Sequence, residues 1–195
     1  MRVCLPVGCP VYEKIPGIVA KSKLSSRTKT LKFGLNKFCS DLYDSLLKQN
    51  KKLELFILVK KNYVLERYMY QLKNVEHRKA LSKLRLSAHN FPIEEGRRHN
   101  IPRHLRRCSL CHSSSIGDEY HTLMECINPY LDYLRNEFLY IMKRVIPQFQ
   151  FLPLKEKFVY IMSCADINCC RIIAPFIHKC IHYVEKSGNG GAHLQ

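Results

Sequence analysis

A chain of 195 residues is long enough for one ordinary domain or two small ones. Its apolar content of 46% excludes wholesale disorder, and its formal net charge of +16 favours polyanionic partners. The excess is confined to one half: residues 1–107 carry 24 Lys/Arg against 8 Asp/Glu, whereas residues 108–195 carry 8 of each. The asymmetry suggests a polyanion-facing part and a neutral packing part, with a merely solvated lysine-rich surface as the alternative.

The opening "MRVCLPVGCPVYEKIPG" has no long apolar core and is broken by prolines, so no secretory leader is expected. The run "LELFILV" at 53–59 is too short to span a bilayer. An intracellular protein, nuclear or cytoplasmic and without a membrane partner, is the expectation. Thiols stay reduced in those compartments, so clustered cysteines among the ten point to metal rather than to disulfides.

Residues 1–30 read as a basic, weakly ordered lead-in. Leu31, Leu35, Phe38, Leu42 and Leu46 step by three or four and predict an amphipathic helix. Leu53, Phe56, Tyr63, Leu65, Tyr68 and Leu72 suggest a second helix or two shorter ones. Asn74 is an expected N-cap for the next, with Leu81, Leu84 and Ala88 on its buried face and Lys79, Lys83 and Arg85 forming a basic stripe elsewhere. Together these make a basic helical region over 31–90.

The stretch "HNFPIEEGRRHNIPRHLRR" at 89–107 has two prolines and a glycine, so a loop is predicted. It leads into a 91–127 module that carries Arg97, Arg98, Arg103, Arg106 and Arg107. A C-terminal helical region follows at 128–186. "NPY" at 128–130 supplies an Asn cap and Pro at the first helical position. Leu131, Leu134, Phe138, Ile141, Met142 and Val145 continue it. Pro153 opens a short helix through Phe158 and Ile161. Asp166 caps a last one through Ile167, Cys170, Ala174, Ile177, Ile181 and Val184, which Pro175 is expected to kink or split. Residues 187–195 read as a frayed tail. Strand signals are few and flank the cysteine cluster. The fold class expected is mainly α, with helical bundle-like segments flanking a small CCHC zinc-binding module.

In "RRCSLCHSSSIGDEYHTLMEC", Cys108-x2-Cys111-x9-His121-x4-Cys126 offers three thiolates and one imidazole. That is the donor set of one structural zinc ion, with four protein ligands and no open position for a catalytic water. The x2 gap suits a tight turn. The x4 gap lets a short helix present His121 and Cys126, with Asp118 and Glu119 at its start. His112 is a rival ligand, ranked below His121 because it adjoins Cys111. Cys39, Cys164, Cys169, Cys170 and Cys180 lie on helical patterns and read as core residues. Cys4 and Cys9 have no assigned role.

The segment "LSKLRLSAHNFPIEEGRRHNIPRHLRRCSLCHSSSIGDEYHTLMEC" resembles the C-terminal region of LINE-type non-LTR retrotransposon polyproteins of invertebrate genomes. The resemblance rests on the combination of "LRLSAH", "IE-GR", "IPR", "R-C-x2-C", "DE-x-H" and the closing cysteine, and extends over about residues 40–185. It implies a zinc-binding role for Cys108, Cys111, His121 and Cys126, and a nucleic-acid-contacting module downstream of a reverse transcriptase. The chain departs from a polymerase: its five aspartates include no adjacent pair to hold two catalytic metal ions. A detached C-terminal remnant is therefore expected, with no catalytic activity of its own.

The expected partners are RNA or DNA, namely retrotransposon RNA or target DNA, and the missing upstream polymerase domain. Arg97, Arg98, Arg103, Arg106, Arg107, Lys83 and Arg85 would contact phosphates. A solvated loop is the alternative for the arginines. Tyr120 or Tyr130 would stack on an unpaired base or else serve packing. A zinc-stabilised helical module for protein contacts, with no specific nucleic-acid role, is the competing function.

Overall fold

A computed structural model describes residues 21–49, 52, 56–57, 65–111 and 113–190. Cys4, Cys9, His112, residues 53–55 and 58–64 of the helical pattern expected over 53–72, and the last five residues lie outside the described residues. The chain divides into two units, Met1–Tyr43 and Asp44–Gln195. No strand occurs among the described residues, and the fold is mainly α.

Helix α1 runs over Lys21–Gln49, so it begins inside the stretch expected to be a weakly ordered lead-in. Its apolar stripe of Leu31, Leu35, Phe38 and Leu42 is exposed, and Cys39 is half-buried.

The remaining helices are α2 (Tyr68–Gln71), α3 (Val75–Arg85), α4 (Pro92–Arg98), α5 (Pro129–Val145), α6 (Leu154–Ser163) and α7 (Ile167–Gly190). Three of them start where capping chemistry predicts. Asn74 Oδ1 accepts from the N–H groups of Glu76 and His77, and Asn128 Oδ1 from those of Tyr130 and Leu131. Asp166 Oδ1 accepts from Asn168 and Cys169. Each pair satisfies donors that a helix start leaves unpaired.

The core gathers around α7. Leu81 and Leu84 of α3, Leu131, Leu134, Phe138 and Met142 of α5, and Ile173, Ile177 and Ile181 of α7 are buried. Phe138 stacks on Phe176 with ring centres 4.3 Å apart. Full burial of each such side chain contributes roughly 1.5–3 kcal/mol. Cys164, Cys169, Cys170 and Cys180 are buried in this core, as their helical spacing predicts.

Pro175 does not split α7, which is continuous to Gly190 and so enters the expected tail. Proline removes one backbone hydrogen bond, while Ile173, Ala174, Phe176 and Ile177 bury their side chains on either side of it. No single described helix is long and apolar enough to cross a membrane, and α6 and α7 meet at 108°.

Two stretches of 75–107 need correction, the helix with its exit and the segment that follows it. Arg85 is not on an exposed stripe with Lys83 but is buried, 3% exposed. Two residues rotate about 200° around a helix, so Arg85 sits away from Lys83 and shares a face with Leu81. Its guanidinium donates to the Cys164 carbonyl at 2.8 Å, lies 3.6 Å from Glu66 and covers the Tyr68 ring. Ala88 is exposed, because the chain leaves the helix at Ser87, which has φ 48°.

The second correction concerns the predicted loop, which contains α4. Pro92 occupies the first turn, where its missing N–H costs nothing, and Glu94 and Glu95 favour the helix start. Gly96 is needed for packing: a Cβ there would lie 2.5 Å from Arg106 Cγ.

Candidate metal centre

Two segments deliver the four donors. Arg107 and Ile116 form an isolated antiparallel bridge, flanked by Cys108 N–H donating to Ser115 C=O and Gly117 N–H to Arg106 C=O. This bridge closes the turn that carries Cys108 and Cys111. The amide N–H groups of Leu110 and Cys111 point at Cys108 Sγ.

His121 and Cys126 come from the next turn. Five residues of α-helix would turn them about 140° apart. The backbone instead forms a π-turn over His121–Glu125, in which Cys126 N–H donates to His121 C=O at 2.7 Å. The wider turn brings both side chains to one side, the kind of local departure found at functional sites. Asp118 Oδ1 starts this turn by accepting from His121 N–H at 2.8 Å.

The donor atoms of Cys108, Cys111, His121 and Cys126 all lie within 4.8 Å of one another, close enough to hold one metal ion. Cys108 Sγ is 3.8 Å from Cys126 Sγ, and Cys111 Sγ is 3.3 Å from His121 Nε2. Cys108, His121 and Cys126 are buried and Cys111 is half-buried. The hydrogen bond from the Cys126 thiol, with help from the two amides, brings the Cys108 thiol down to about 4. The Cys126 thiol is pushed up as the donor of that bond and by burial. A sulfur biased towards the thiolate is the form that ligates a cation. His121 Nδ1 has no hydrogen-bond partner, and the Glu125 carboxylate stands 4.0 Å away.

Two supports carry no signal in the spacing of the motif. Arg135 of α5, 7% exposed, donates through Nε to the Leu123 carbonyl at 3.0 Å and through Nη2 to the Cys126 carbonyl at 2.7 Å. It holds the exit of the π-turn, and Asn128 Nδ2 ties the Leu110 carbonyl to the start of α5. On the other side, His89 is fully buried, and its Nε2 lies 2.9 Å from Glu119 Oε1. Phe91 N–H donates to His89 Nδ1, which leaves the Nε2 hydrogen for Glu119. Burial, the largest single influence, raises the Glu119 carboxyl, but the interaction with His89 and the hydrogen bonds from its own N–H and from Ser87 together outweigh it and hold the group below its ordinary range.

The basic residues named from sequence are scattered in role. Arg97 pairs with Glu94 at 3.0 Å and is half-buried. Arg98 is exposed, yet donates to Asn90 Oδ1 and the His89 carbonyl, each at 2.7 Å. Arg106 donates to the carbonyls of Ile101 and Ile93 while covering Gly96. Arg103 and Arg107 are exposed, Arg103 facing Asp118 at 3.9 Å. Lys83 lies on α3 and pairs with Glu185 of α7 at 3.3 Å. The structure thus brings Arg97, Arg103 and Arg106 around α4 and the metal turn and puts Arg85 in the core. Tyr120 packs edge-on against Phe158, and Tyr130 rests on Tyr183.

Comparisons with protein-family models, with curated proteins and with solved structures give no match to this chain.

Proposed function

We propose that Cys108, Cys111, His121 and Cys126 bind one structural zinc ion, and that the turn so fixed presents arginines to a nucleic acid. The observation carrying the zinc reading is the spacing of the donors. Zinc–sulfur bonds of about 2.3 Å at tetrahedral angles place two sulfurs roughly 3.8 Å apart, and a sulfur and an imidazole nitrogen roughly 3.6 Å apart. The 3.8 Å and 3.3 Å separations fall close to those values. Four protein donors leave no site for a metal-bound water, so the ion holds structure and the module binds rather than catalyses.

The nucleic-acid reading draws on the charge of residues 1–107 and on Arg98, Arg103 and Arg107, which remain exposed beside the metal turn. It agrees with the resemblance to the C-terminal region of a retrotransposon polyprotein, of which the chain would be a remnant. Neutralised phosphates release counterions, so affinity falls steeply with salt. The test is binding of single-stranded RNA and duplex DNA across a salt series. The Arg98→Gln, Arg103→Gln, Arg107→Gln triple variant is compared with Lys29→Gln, Lys32→Gln, Lys37→Gln. The arginine variant loses at least tenfold more affinity, and equal losses overturn the assignment.

A second reading, a zinc-stabilised module for protein contacts, is favoured by the outer face of α5. There Tyr133 and Tyr140, about two turns apart on one face, are both exposed. Under that reading the arginine variant leaves nucleic-acid affinity at the level of the lysine control.

A further inference from the structure

Three histidines outside the metal centre lie side by side where α3 meets α7. His178 and His182 are four residues apart on α7, a spacing that puts two imidazoles on one face of a helix and suits them to share an ion. Their rings are parallel within 6°, with centres 6.1 Å apart. His77 of α3 approaches from the other helix, its ring centre 5.6 Å from that of His178.

We propose that His178 and His182, with His77 as third donor, form a second site for a borderline divalent cation such as Zn2+ or Ni2+. Imidazole nitrogens about 2.0 Å from a common ion place ring centres roughly 5 Å apart. The observed separations exceed that by about an ångström, within reach of modest side-chain rotations. The donors are not yet gathered as those of the Cys/His centre are, and His77 lines the adjoining cleft with its Nε2 3.5 Å from Asn74 Nδ2, so binding requires that ring to turn towards His178.

The surroundings suit a cation. The cleft holding His178 and His182 is also lined by Glu76, Glu185, Lys79 and Lys83. Glu76 is paired with Lys79 at 2.8 Å and Glu185 with Lys83 at 3.3 Å. The local charge is therefore balanced, and the two carboxylates can turn towards an ion. His77 and His178 are half-buried and His182 is exposed, so an ion can enter from solvent. Imidazole favours Zn2+, Ni2+ or Cu2+ over Mg2+ and Ca2+, which prefer oxygen. The ion would bridge α3 to α7, the helix on which the core is assembled.

The test is calorimetric titration of Ni2+ into the full chain loaded with a single equivalent of zinc, with retained zinc measured alongside. The wild type takes up one Ni2+ without releasing zinc. His178→Gln, His182→Gln weakens Ni2+ at least tenfold, His77→Gln weakens it about three- to tenfold, and the exposed His99→Gln, His104→Gln control leaves it unchanged. Sub-stoichiometric Ni2+ also broadens the imidazole proton resonances of His77, His178 and His182 in the wild-type protein, which does not depend on how any variant folds. The proposal is overturned if the control loses as much affinity as the double variant, if His77→Gln has no effect, or if those three resonances stay sharp.

Discussion

Cys108 Sγ and Cys126 Sγ lie 3.8 Å apart although 18 positions separate them in sequence. Both sulfurs belong to buried residues, and Leu123 and Met124 are buried just before Cys126, but the turn that carries Cys108 is closed by a single bridge and its outer residues Ser109, Ser114 and Ser115 are exposed. An ion shared by the four donors would add to that packing on the order of 10 kcal/mol of apparent folding free energy.

Replacing one ligand tests that dependence. Cys126→Ser is expected to abolish stoichiometric zinc retention and to lower the melting temperature by more than 10 °C. A strong chelator should reproduce the shift in the wild type and have little further effect on the variant. Differential scanning calorimetry with and without chelator makes both comparisons.

Arg135 is predicted to matter almost as much as a ligand. Its guanidinium occupies the carbonyls of Leu123 and Cys126 at the exit of the π-turn. Arg135→Met leaves two carbonyls unpaired and should cost about 3 kcal/mol in chemical denaturation. It should also accelerate zinc release to a competing chelator. Arg135→Lys recovers only part of this, because a compact ammonium lacks the planar fork whose separate nitrogens reach the two carbonyls.

Gly117 is predicted to tolerate no side chain. A Cβ there would sit 2.7 Å from Pro92 Cγ and 3.0 Å from Cys108 Cα. Gly117→Ala should cost about 1–3 kcal/mol by pushing α4 away from the metal turn. A loss of less than 0.5 kcal/mol in a urea titration would show that the two segments can separate freely.

Acid should release the His89–Glu119 tie. The folded-state carboxyl of Glu119 is held below its ordinary value, so its stabilisation is fully present above about pH 4.3 and is lost as pH falls through the folded value. Burial pushes Glu94 and Asp118 the opposite way, so they take up protons first. Comparing Glu119→Gln with the wild type isolates the Glu119 contribution. The variant should be less stable by about 1–3 kcal/mol at pH 7, and the difference should shrink below pH 4.

The helix starts were legible because capping is local: Asn74, Asn128 and Asp166 each act within three residues of themselves. The four candidate donors were legible because they are rare residue types at short spacing, and the structure gathers them within 4.8 Å of one another. What could not be read depends on distant partners. Arg85 is buried because Cys164 and Glu66 receive it. The 92–98 segment is helical despite its proline and glycine, because proline suits a first turn and Gly96 admits Arg106. His89 meets Glu119 across 30 positions, and no periodicity connects them.

The most direct test is the metal content of the purified chain, measured by elemental analysis beside Cys108→Ser and Cys111→Ser variants. The wild type should hold about one zinc per chain through exhaustive dialysis, and both variants should lose it. A wild-type chain that folds to the same helical content without metal, or variants that keep a full equivalent of zinc at the Cys/His centre, would contradict it.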